Sequence, residues 1–117
     1  MARSPTEVVN TYNLVMWNEM RPELVPEICA DPLIRHYSGK LVALSHQDQV
    51  DRVEEYRDHG MVFERVVQFN EGEFVTWVWN CTSTIDDRRI SGIEIFRVVD
   101  GLITEVWNSP YGNDLWG

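Results

Sequence analysis

Positive charge is what this chain has least of. Its 117 residues carry ten Lys and Arg against nineteen Asp and Glu, a formal net charge of −9. Affinity for a phosphate backbone rests on counterion release by clustered cations, and no such cluster occurs, so nucleic acid is excluded as a partner. Long apolar runs are missing too, none approaching the roughly 20 residues that span a bilayer. The opening segment, Met1 to Glu7, has neither an apolar core nor a cleavage-like site. No membrane partner and a cytoplasmic location are the expectations. Cysteine is scarce: Cys29 and Cys81 stand far apart without metal-ligand spacing and read as free buried thiols. A Gly-rich phosphate loop, a Gly-x-Ser-x-Gly elbow and a His-Glu-x-x-His pair are all absent, which argues against nucleotide-dependent chemistry and the commoner hydrolases. Neither cofactor nor metal is expected.

What is present is enough for one core. With 44% hydrophobic residues and no low-complexity segment, residues 1–117 read as a single domain. Ser4-Pro5-Thr6-Glu7 is a helix start, with Ser as N-cap, Pro at the first helical position and Glu closing a capping box. Val8, Tyr12, Val15, Met16 and Met20 then recur at helical spacing, which predicts an amphipathic helix to about Met20. A second short helix is predicted from Glu23 to Ala30, stopped by Asp31-Pro32. Leu33 to Tyr37 reads as a strand followed by a turn at Ser38-Gly39-Lys40. Ser45 caps a surface helix that ends near Gly60 and carries Val50, Val53 and Arg57 on one stripe.

Beyond Gly60 the helical period disappears. Strands are predicted over Val62 to Asn70, Phe74 to Ile85, Ile90 to Val99 and Leu102 to Ser109, an antiparallel meander. Asp100-Gly101 between the last two is a strong signal for a tight hairpin. Helices first and a meander last make an α+β layout, and strands of about ten residues coil strongly enough to turn the helix-covered face into a cup. Within the hairpin, Glu94 and Asn108 interrupt one apolar face. Polar groups there must find partners or a ligand, which marks a candidate pocket.

The element order, the Ala30-Asp31-Pro32 step and the hairpin Phe96-Arg97-Val98-Val99-Asp100-Gly101-Leu102-Ile103-Thr104-Glu105-Val106-Trp107 resemble the nuclear transport factor 2-like superfamily. That superfamily includes ketosteroid isomerases, SnoaL-like polyketide cyclases, scytalone dehydratase and limonene epoxide hydrolase. The resemblance covers nearly the whole chain and implies a cone-shaped fold, about three helices packed in the concave face of a curved, mostly antiparallel sheet. It marks fold better than reaction. By the same resemblance, Tyr12 falls at the oxyanion-hole tyrosine of ketosteroid isomerases, His36 at their general-base aspartate and Glu94 at their second oxyanion-hole acid. Asn108 falls where SnoaL-like cyclases often carry a functional aspartate. Imidazole for carboxylate, Glu for Asp and Asn for Asp are departures that argue against strict ketosteroid isomerase activity.

The expectation is therefore a cofactor-independent isomerase or lyase acting on an enolisable, hydrophobic carbonyl compound such as a polyketide, terpenoid or steroid-like metabolite. His36 is the expected base, oriented by Glu94, with Tyr12 and Glu94 at the enolate oxygen and Asn108 positioning the substrate. A structural ion pair of Glu94 with Arg35, Arg57 or Arg65 is the competing account of that acid. Met16, Val53, Arg57 and Val106, with the aromatic Trp77, Trp79 and Phe96, are expected to bind substrate. The alternative is a non-catalytic ligand-binding or dimerisation module of the same fold. Ile93, Ile95 and Trp107 on the outer face of the hairpin are too apolar for open water, so a homodimer pairing sheet to sheet is expected.

Overall fold

The computed structural model describes residues 3–109 and 111–117; Met1 and Ala2, part of the opening segment read above, lie outside them. Ser4 starts the first helix through the expected box, its side chain accepting from Glu7 N–H while the Glu7 carboxylate accepts from Ser4 N–H. Helix α1 (Pro5–Asn10) then widens into a π-helical stretch, Thr11–Trp17, that buries Tyr12, Asn13, Met16 and Trp17. It ends short of Met20, which takes a left-handed φ of 52°. A 3-10 turn (Pro22–Leu24) and the short α2 (Val25–Ile28) replace the second helix predicted to Ala30.

Strand β1 (Cys29–Tyr37) starts earlier than predicted, because residues 29–32 continue into the sheet with a register shift before Ile34. Strand β2 (Lys40–Leu44), not predicted from the sequence, pairs antiparallel with β1. Helix α3 (His46–Glu55) carries the Ser45 cap, and a 3-10 turn, Arg57–His59, follows it. Then come β3 (Met61–Glu71), β4 (Phe74–Ser83), β5 (Arg89–Val99) and β6 (Leu102–Asn108). Asp100 and Gly101 both take positive φ, as a two-residue hairpin turn requires.

The strands form one sheet in the order β2-β1-β6-β5-β4-β3, antiparallel except where β1 runs parallel to β6. Alternation decides what the helices cover. Val75, Trp77, Trp79 and Cys81 of β4, and Glu94, Phe96 and Val98 of β5, point to the helix side and are buried. They meet Val8, Val9, Tyr12 and Met16 in one core. Burying a side chain the size of Phe96 contributes about 1.5–3 kcal/mol, so this seam holds the helices on the sheet. Packing is incomplete at one end, between the π-helical stretch, α3 and the outer ends of β3 to β5. No helix among the described residues is long and apolar enough to cross a membrane.

Candidate active site

The unfilled end is a cavity of about 540 Å³. Trp17, Tyr56, Phe63 and Trp79 give it an aromatic wall, and Tyr12, Asn13, Arg35, Arg52, Glu94 and Tyr111 supply its polar groups. The polar groups arrive from five parts of the chain. The π-helical stretch presents Tyr12 and Asn13, β1 presents Arg35, α3 presents Arg52 and β5 presents Glu94. Tyr111 reaches in from beyond β6, its ring 5.3 Å from that of Trp79. Gly92 makes room for that approach, since a Cβ there would lie 2.6 Å from Trp79 Cζ2 and 3.0 Å from Tyr111 Cδ1.

At the centre is an ion pair. Arg35 Nη2 lies 3.4 Å from Glu94 Oε2, with side-chain exposures of 3% and 8%. The guanidinium also donates to Tyr37 Oη at 3.1 Å and to Tyr12 Oη at 3.5 Å. Burial pushes the Glu94 carboxyl above the usual carboxylate range, and the opposing pull of Arg35 does not cancel it. Arg52 and the Trp79 indole add to the pull of Arg35, and desolvation still prevails because the carboxyl is buried and its ion pair is long. Burial also raises the Tyr111 phenol, helped by the Glu94 charge. Asn13 Nδ2 and Trp79 Nε1, both on wall residues, are buried donors without an acceptor, although the Trp79 indole still lies near enough to Glu94 to favour its charged form. Cys81 also lines the cavity, and burial raises its thiol to about 11, which keeps it protonated near neutral pH. Among the described residues no group of three His, Cys, Asp or Glu could hold a metal ion.

The structure brings together Tyr12, Glu94 and Trp79 of the residues expected from sequence, and corrects the others. His36 is on the opposite face of the sheet. Strand alternation puts Leu33 and Arg35 inside, so His36 faces out, its Nε2 2.8 Å from Glu105 Oε2 and its ring stacked on Trp107. A one-residue displacement along a strand exchanges the two faces, and the aspartate position of the family resemblance lands one residue from the true inward side chain. The Glu94 partner is accordingly Arg35, not His36. Asn108 stands opposite Glu94 in the β5–β6 register but off the cavity wall, where its Nδ2 donates to Tyr111 Oη at 3.0 Å. Met16, Val53, Trp77, Phe96 and Val106 are fully buried core behind the wall. Arg57 falls beyond the end of α3 and pairs with Glu54 at the surface, and Arg52, within α3, reaches the cavity instead.

The polar wall residues Asn13, Arg35, Arg52 and Tyr111, and the aromatic Trp17, Tyr56 and Phe63, are not singled out by the sequence as site residues. Arg35 has a signal in its alternation with Leu33, but arginine in a strand ordinarily argues for the wet face. Asn13 is a polar residue on the buried side of an amphipathic helix. Tyr111 has no local signal.

No family model matches the chain, and no curated protein does either. Solved structures do. A candidate polyketide cyclase from Acidithiobacillus ferrooxidans superposes with a TM-score of 0.77 at 20% identity, over 93% of this chain and 90% of that one. A candidate ketosteroid isomerase from Kribbella flavida gives 0.75 at 17% identity, over 97% and 83%. An NTF2-like protein of unknown function from Mesorhizobium loti gives 0.73 at 22% identity, over 89% and 88%. At these identities the likeness establishes the fold.

Proposed function

We propose that this chain, which has the nuclear transport factor 2-like fold, is a cofactor-independent isomerase or lyase that moves a proton next to the carbonyl of a hydrophobic compound. The observation that carries the reading is Glu94, a buried carboxylate with a raised pKa, held 3.4 Å from a buried guanidinium on the wall of an aromatic cavity. Structural ion pairs alone do not require a cavity at their side.

The chemistry assigns itself by charge. Glu94 in its carboxylate form takes a proton from the carbon beside the carbonyl. The C–H electron pair passes into the enolate, whose oxygen accepts hydrogen bonds from the Arg35 guanidinium and the Tyr12 hydroxyl. As the negative charge leaves Glu94 and appears on the enolate oxygen, Arg35 stays paired throughout, which is the preorganisation that such a step needs. The proton on Glu94 then returns to another carbon in an isomerisation, or to a leaving hydroxyl in a dehydration. Attack of the enolate on a second carbonyl gives an aldol cyclisation. The three outcomes share the first step.

That step is tested by α-deuterium exchange of 2-tetralone in D₂O, followed by NMR against a buffer blank. Wild type is expected to accelerate exchange, and Glu94→Gln to lower the acceleration by about 10²–10⁴, the usual contribution of a positioned acid–base group. His36→Ala is expected to leave it unchanged. Wild-type exchange no faster than buffer would leave the non-catalytic binding module as the better account.

A further inference from the structure

The cavity collects cations in a chain that has few. Four of its ten basic residues line it, Arg35, Arg52, Arg88 and Arg89, against two of its nineteen acidic ones, Asp87 and Glu94. Three of the four arginines are already paired: Arg35 with Glu94, Arg88 with Asp86 at 2.8 Å and Arg89 with Asp114 at 3.1 Å. Arg52 forms no ion pair among the described residues. It donates from Nη1 to Gln49 Oε1 at 2.7 Å, and its guanidinium lies 5.5 Å over the Trp17 ring. Those two contacts hold the group in one place and leave most of its N–H donors unused.

We infer that the ligand of this cavity carries a carboxylate, seated on the Arg52 guanidinium, in addition to the carbonyl that meets Arg35 and Glu94. The inference rests on the proposed function for the second half of that statement only. Arg52 has no carboxylate within ion-pairing distance among the described residues, and the acid whose charge it does feel, Glu94, is already paired with Arg35, so a half-buried cation so placed draws anions into the cleft. A planar guanidinium with two parallel donors free fits the two oxygens of a carboxylate, in a bidentate pair that a neutral ligand does not make. The aromatic residues between these groups set the rest of the ligand as a flat hydrophobic body. The substrate class is thus a ring-bearing keto acid, a narrower class than hydrophobic carbonyl compounds at large.

The probes are 2-naphthoate and its neutral isostere 2-naphthamide, titrated calorimetrically into the whole chain at neutral pH and low salt. Wild type is expected to prefer naphthoate by roughly ten- to hundredfold, the range of a charge-assisted pair. Arg52→Gln is expected to lose that preference, whatever its affinity for naphthamide, with an unchanged circular dichroism spectrum and urea midpoint showing that the variant is folded. Equal affinity of wild type for both probes, or no naphthoate binding at millimolar concentration, would overturn the inference. So would a preference that survives in Arg52→Gln. A crystal structure of wild type with 2-naphthoate decides independently of any variant: the carboxylate against Arg52 supports the assignment, and the carboxylate elsewhere overturns it. Neither measurement depends on proton transfer, so failure here and failure of the exchange assay are distinct results.

Discussion

Glu94 keeps its proton more tightly in the folded chain than in the unfolded one, since burial outweighs the help it receives from Arg35. Its contribution to stability is full below its ordinary value of 4.5 and is lost as pH rises through the raised value, where the folded protein must hold the charge. Activity has the opposite sign. Proton abstraction needs the carboxylate, so exchange of 2-tetralone is expected to climb with pH through a break above 4.5, and a break at the ordinary value would count against Glu94 as the base. On the other face of the sheet, His36 holds the Glu105 carboxyl below its usual range, with Arg97 assisting. Glu105 thus contributes stability above 4.5 that is lost as pH falls through its lowered pKa. The two faces carry acid groups displaced in opposite directions, by desolvation inside and by hydrogen-bonding partners outside.

Among the elements, β4 and β5 carry the largest share of the site, and the close approach of their side chains is what shapes it. Gly92 stands opposite Trp79 in the β4–β5 register, with Tyr111 laid across both. Gly92→Ala is expected to displace one ring or the other and to cost about 1–3 kcal/mol, the usual range for overpacking, read as a lower urea midpoint with unchanged slope. Unaltered stability would mean that Tyr111 does not pack against Trp79 in solution. The helical side is positioned by simpler means. The Ser4 capping box fixes where α1 begins, and Asn18 clamps the end of the π-helical stretch to β3, accepting from Phe63 N–H at 2.7 Å and donating to Phe63 O at 2.9 Å. Tyr12 and Asn13 lie between these two anchors.

For the molecule as a whole, the outer face of the sheet remains uncovered where it is most apolar. Ile95 and Phe74 are 39% and 45% exposed, beside a half-buried Trp107 whose ring stacks on His36. A patch of this kind on a small protein favours burial against another surface. We propose that two copies pair through it, sheet to sheet, with Ile93, Ile95 and Trp107 at the contact. Sedimentation equilibrium is expected to give a dimer for wild type and a monomer for Ile95→Lys, and a wild-type monomer at about 100 μM, a demanding concentration for a weak contact, would sink the proposal.

How much of this protein its sequence determined follows from the range of the interactions involved. Local rules were sufficient for the Ser4 and Ser45 caps, the Asp100-Gly101 turn and the meander after Gly60, because each depends on neighbours a few residues apart. The polar pair Glu94 and Asn108 was also legible, as an interruption of an apolar alternation. Which side of β1 faces inward was not. Ile34 and His36 make as plausible a buried pair as Leu33 and Arg35 when read alone, and arginine enters the interior only because Glu94, 59 residues away, waits there with a carboxylate. The same holds for β2, an edge strand whose one partner is β1. It holds again for Arg52 in place of Arg57, where the length of α3 decides which side chain reaches the cavity, and for Tyr111, which no local pattern places. Periodicity specifies faces and the tertiary structure chooses between them, since a buried charge is tolerated only where a distant partner and the packing around both make room for it.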